Sequence, residues 1–207
     1  MSTPSRAAVL QLAILGLLRK QPMHGYELRK QLNAMLGPFR AFSYGSLYPG
    51  LRQLSASASI SASDPASGSL TGRRAKIVYT ITTQGAQALE AMLGEAGPAS
   101  WEDENFDVRF AFFAQTDRET RLRILEGRKL RMAERLDALR AAGRGREIDH
   151  YTRELHSHGI DQLEREVHWL DGLIEAERAA RGLASSQSPP VLTQHPTNPT
   201  QTARRLH

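Results

Sequence analysis

The side chains of this sequence that could do chemistry are mostly hydroxyls and cations, and they fall in two short runs. One is Ser43-Tyr44-Gly45-Ser46-Leu47-Tyr48-Pro49-Gly50-Leu51-Arg52; the other is Gly72-Arg73-Arg74-Ala75-Lys76. Both lie in a basic half of the chain. Residues 1–94 hold ten Lys or Arg against three Asp or Glu, a net of +7, while the whole chain stands at +5, so residues 95–207 carry −2. A small basic unit beside a mildly acidic one points to a polyanion as the partner of the first half. Charge alone is equally compatible with a solvated basic surface.

Other chemistries find less support. There is no cysteine, which excludes disulfides, thiolate metal sites and cysteine nucleophiles and fits a reducing cytoplasm. His156, His158 and His168 invite a metal reading, but two histidines one residue apart on a helix diverge by about 200°. No acid set or cysteine completes a site beside them. No nucleophile elbow, phosphate loop or paired-acid motif is present, so the chain reads as a non-enzyme without a cofactor. The apolar run Ala7 to Leu18 is too short to span a bilayer. Arg19-Lys20 stand where a signal peptide would place small residues, so the run is read as a buried helix and no membrane partner is expected.

The elements that must position these groups follow from periodicity. Residues 6–20 are apolar nearly all round, as a central helix is, and Gln21-Pro22 ends it. A second helix spans about residues 24–36, with Leu28 and Leu32 on one face and Gly37-Pro38 as its stop. Tyr26, one turn in, is expected to pack. A third helix is capped by Ser43 or Ser46 and ends near Leu54. Pro49 sits in its first turn with the second cap and deeper, under strain, with the first. Residues 76–82 are β-branched and read as a strand with Ile60 marking its antiparallel partner. The loop between runs through Asp64-Pro65 and Gly68 to a basic tip. Thr83 is expected to cap a fourth helix that ends near Leu93. Three helices followed by two strands with a basic loop describe a winged helix.

Gly97-Pro98 marks a junction, beyond which the chain reads as helical. Phe106, Phe110 and Phe113 share a face. Leu122, Leu125, Met132, Leu136 and Leu139 form one stripe; Ile160, Leu163, Val167, Leu170 and Ile174 form another, with Gly143 and Gly145 between them. Two stripes joined by a glycine turn predict an antiparallel helical hairpin whose apolar faces seek cover, with a second subunit as the natural supplier. The fold class is thus mainly α. Residues 1–94 are a winged helix-turn-helix, 101–182 a coiled-coil-like dimerisation domain, and 183–207 a Ser/Thr/Pro-rich tail expected to be disordered.

Three segments in order carry a family resemblance: His24-Gly25-Tyr26-Glu27-Leu28, then Ser43-Tyr44-Gly45-Ser46-Leu47-Tyr48-Pro49, then the Gly72-Arg73-Arg74 wing ahead of Lys76 to Thr82. Together they resemble the PadR family of transcription regulators over residues 7–93, and the helical remainder resembles its AphA-like branch by layout. One departure stands out. The family usually has Leu-Glu and a Gly-Leu-Ile turn after the third helix, where this chain has Leu54-Ser55 and Ala58-Ser59-Ile60. Glycine suits a left-handed helix end and alanine does not.

The resemblance implies a homodimer that binds an inverted repeat in double-stranded DNA, usually as a repressor. The third helix would enter the major groove with Tyr44, Ser46 and Tyr48 near base edges and Arg52 further along. Packing in the core is the competing role for Tyr48. Arg73, Arg74 and Lys76 on the wing would reach phosphates or a minor groove. Some relatives take an aromatic ligand in a cavity, which would make Trp101 and Trp169 the effector residues and a small aromatic molecule a further partner. The rival reading is a winged-helix module that binds protein, with a coiled-coil arm as scaffold.

Overall fold

The computed structural model describes residues 6–37, 44–63, 77–143 and 149–185. Helix α1 (Arg6–Leu18) buries nine of its thirteen residues, including Ile14 and Leu15 without any exposure. That is the outcome expected of a helix apolar on every face. Around it pack α2 (Gly25–Leu36), α3 (Tyr44–Ala56) and α4 (Thr83–Gly94). A small antiparallel sheet closes this unit in the order β1-β3-β2, formed by Met23–His24, Val78–Ile81 and Ile60–Ser63. Ile60 pairs with Ile81, as the strand pattern predicts. The two-residue strand β1, pairing Met23 with Tyr79, has no sequence signal of its own.

Of the two starts open for α3 the structure has the earlier, and the cap of α4 differs from expectation. Helix α3 starts at Tyr44, so Pro49 is its sixth residue and leaves the Gly45 carbonyl without an i+4 donor. Helix α4 is capped by Thr82 rather than Thr83. The Thr82 hydroxyl accepts from Gly85 N–H at 3.0 Å and donates to Ala58 O at 2.7 Å, so one side chain satisfies the helix start and the end of the α3 turn. Gly85 is needed there, because a Cβ would stand 1.9 Å from Ser59 O.

The second half is a hairpin of α6 (Arg118–Ala142) and α7 (His150–Ser185), reached through α5 (Asp103–Ala111) and short 3-10 turns at Pro98–Ser100 and Phe113–Gln115. Asp117 caps α6 by accepting from Thr120 N–H. Helix α7 runs to Ser185, three residues into the segment read as tail. Gly145 and residues 186–207 lie outside the described residues.

Helix α5 belongs to both halves. Val108 on it and Phe112 just after it complete the core around α1, whereas Phe106 and Phe113 join Ile124, Leu125, Met132, Leu170 and Ile174 in a second core. The two units separated at residues 94–101 therefore share one helix. No helix among the described residues is long and apolar enough to cross a membrane.

Candidate nucleic-acid interface

Helix α3 sorts its residues by face. Leu47, Leu51 and Leu54 are buried against the core, while Gly45, Ser46, Tyr48, Pro49, Arg52 and Gln53 look outward. Tyr44 is the first residue of the helix. Tyr48, for which packing and exposure were both open, is 39% exposed. Its ring lies over the start of α2: Tyr48 Oη and Cε1 are both 3.4 Å from the point where a side chain at Gly25 would begin.

That contact walls a cleft of about 450 Å³ between α2, α3 and β3, lined by His24, Gly25, Tyr26, Glu27, Tyr48, Ile77 and Tyr79. Glu27 reaches back to accept from His24 N–H at 3.0 Å, and His24 Nδ1 meets Ile77 O at 3.2 Å. These two bonds fix the α2 start against the strand. Burial pushes the Tyr79 phenol above its usual pKa; Tyr48 nearby adds to the rise and the Arg52 charge opposes it. Tyr48, Arg52 and Tyr79 are thus electrostatic neighbours. Tyr26, expected to pack, is 61% exposed. Leu28 and Leu32 already fill the inward face of α2, so the core has no place for its ring. Arg73, Arg74 and Lys76 lie outside the described residues.

On the arm, the two apolar stripes face each other rather than outward. Leu125, Met132, Leu170 and Ile174 are buried in one core with Leu122, Leu163 and Val167 packed against them; Leu136 is buried as well and Leu139 half-buried. The partner each stripe needs is its neighbour in the same chain, and charge pairs lock the two together. Arg121 binds Glu177 through two 2.8 Å bonds, Arg140 binds Glu164, and Lys129 binds Asp171. Arg128, nearly buried, donates to Asp103, Glu166 and Trp101 O and stands over the Phe106 ring at 5.0 Å. Among the described residues, the large apolar side chains left exposed on the arm are Leu130, Tyr151, Leu155 and Trp169, none of them on the expected stripes.

The two tryptophans are put to different uses. The Trp101 ring lies over Gly127, where a Cβ would come within 2.4 Å. Trp169 makes edge contacts with Phe110 and Phe106, at 5.2 and 6.2 Å between ring centres. It lines a mainly apolar cavity of about 540 Å³ together with Met35, Leu36, Phe106, Phe110 and Glu166. Of the histidines, His158 pairs with Gln162, and no metal-holding group of His, Asp or Glu occurs among the described residues.

Residues 14–91, which contain the last five residues of α1, α2, α3, the sheet and most of α4, match the model of the transcriptional regulator PadR-like family. Residues 14–91 form a PadR-like domain. Over 85 residues the chain is 34% identical to the negative transcriptional regulator PadR of Bacillus subtilis strain 168, covering 41% of this chain and 45% of that protein. The match thus spans less than half the length of that relative. Among solved structures, B. subtilis PadR in complex with operator DNA aligns at 23% identity, over 83% of this chain and 99% of that one, with a TM-score of 0.42. The same protein in complex with p-coumaric acid aligns at 23% identity over 82% and 99%, with a TM-score of 0.37. The tyrosine-lined cleft and the outward face of α3 both lie in the PadR-like domain, whereas Trp169 lies beyond it.

Proposed function

We propose that this chain is a transcription regulator that binds double-stranded DNA as a homodimer, most simply as a repressor on an inverted repeat. The observation that carries the reading is the division of α3, which buries Leu47, Leu51 and Leu54 and leaves Ser46, Tyr48 and Arg52 exposed, with Tyr48 and Arg52 one turn apart on the same side. A helix presented that way fits a major groove, with side chains near its start at base edges. The +7 charge of residues 1–94 and the match to the PadR-like family support it. Tyr44 begins the same helix, and Arg73, Arg74 and Lys76 supply the wing cations that phosphates would attract. A second copy would use the exposed arm residues Leu130, Tyr151 and Leu155, since the two stripes are spent within the chain. A small aromatic effector fits the cavity beside Trp169, which touches α2 of the DNA-facing unit and α7 of the arm; Trp101 packs against Gly127 instead.

The test is a gel-shift titration against random and selected duplexes at several salt concentrations. Binding weakens steeply with salt, because protein cations displace counterions. Arg73→Ala with Arg74→Ala weakens all sequences alike and flattens that slope, whereas Tyr44→Ala changes operator preference more than overall affinity. A chain that shifts no duplex at low salt would return the reading to a winged-helix module that binds protein.

A further inference from the structure

We propose that Tyr26 is a DNA-backbone contact, its hydroxyl donating to a phosphate oxygen at the edge of the groove that receives α3. This rests on the DNA-binding reading above and adds a helix to the interface, α2, from which no contact was otherwise expected.

The fold does not need the Tyr26 ring. It stands on the second residue of α2, 61% exposed, while Leu28 and Leu32 behind it are completely buried. Exposure alone is ordinary for a single side chain; the position of Tyr26 is what gives it a role. Tyr26 lines the same cleft as Tyr48, and Tyr48 belongs to the outward face of α3. Gly25 permits this closeness: the Tyr48 hydroxyl lies 3.4 Å from where its side chain would start. Tyr26 and the exposed Tyr48 of α3 therefore belong to one continuous surface, to which Ile77 also contributes.

In a helix-turn-helix the helix before the recognition helix crosses the phosphate backbone. Tyrosine hydroxyls are among the side-chain donors that phosphates accept from. The one acid in the cleft, Glu27, would oppose an anion, but its carboxylate is turned back onto the His24 N–H at 3.0 Å. It also sits at the positive end of the α2 dipole, which offsets part of its charge.

The experiment compares the full chain with Tyr26→Phe and, as a control on the arm, Ser157→Ala, which removes an exposed hydroxyl from α7. Fluorescence anisotropy with random and selected duplexes is the readout. Tyr26→Phe is expected to weaken binding to both kinds of duplex by roughly tenfold, as loss of a hydrogen bond to a charged group does. The slope against salt stays unchanged, because no cation is lost. Ser157→Ala binds as the parent does. Parent binding with Tyr26→Phe inside twofold of it overturns the contact and leaves DNA binding intact. A change in sequence preference overturns the phosphate assignment in favour of a base. A parent chain that binds no duplex at any salt removes DNA binding itself, and Tyr26 with it.

Discussion

The ring of Phe112 occupies the space that a side chain at Gly16 would need: a Cβ there would stand 2.4 Å from Phe112 Cε1. Gln115 Nε2 adds a 3.0 Å bond to Gly16 O. The segment that leads into the arm is thereby seated in a notch of the central helix, while Phe113, the next residue, belongs to the other core. Helix propensity alone would favour Gly16→Ala by about 1 kcal/mol. The overpacking against a fully buried ring is the larger effect, and a net destabilisation of about 1–2 kcal/mol is expected. Urea unfolding measures it; an unchanged or raised midpoint would show that the ring can withdraw at no cost.

Ala58 is the non-glycine residue with positive φ among those described, at 53°. It ends the turn after α3, where Ser59 N–H bonds Leu54 O and the Ala58 carbonyl accepts from Thr82. The left-handed conformation costs an L-residue roughly 1–2 kcal/mol. Part of that gain returns as the greater chain entropy that glycine loses on folding. Ala58→Gly is expected to stabilise by about 0.5–1 kcal/mol, seen as a higher Tm with DNA binding unaltered. A lowered Tm would refute the strain.

Arg128 ties together α5, α6 and α7 through Asp103, Glu166 and the Trp101 carbonyl. Arg128→Met leaves two carboxylates without their shared cation. Breaking a buried pair costs about 3–5 kcal/mol. Asp103 and Glu166 keep contact with water, so about 2 kcal/mol is expected here.

Acid should weaken the same junction. Burial by itself raises the Asp103 pKa, but hydrogen bonds from Arg135 and Arg128, with their charges, bring it below the usual carboxylate value. A group with a depressed folded pKa contributes stability above its unfolded pKa, about 3.9, and loses it as pH falls through the folded value. The stability gap between the parent and Asp103→Asn is therefore wide at pH 7 and closes on acidification below about pH 4. A gap independent of pH across that range would remove Asp103 from the account.

Trp169 should report an effector and Trp101 should not. Planar aromatic molecules are expected to quench the fluorescence of Trp101→Phe as they do the parent's, and to leave Trp169→Phe unaffected. No response across such a panel would end the effector reading.

Much of this molecule was legible in local sequence. The all-round apolar run fixed α1 as the central helix, and β-branched residues 76–82 marked β3. These depend on neighbours within a few residues, which the sequence contains. What covers each face depends on which distant segment arrives there, and periodicity is silent on that point. It showed that Leu125 and Leu170 needed cover; only the folded hairpin showed that they cover each other. It pointed to Thr83 as the cap of α4, and the approach of Ala58 O chose Thr82. It could not tell that α5 would serve two cores, that Trp101 and Trp169 would be parted, or that Tyr26 would be left in water because Leu28 and Leu32 already fill the space behind it. Burial is decided by competition for a finite interior, and that competition is settled by long-range packing alone.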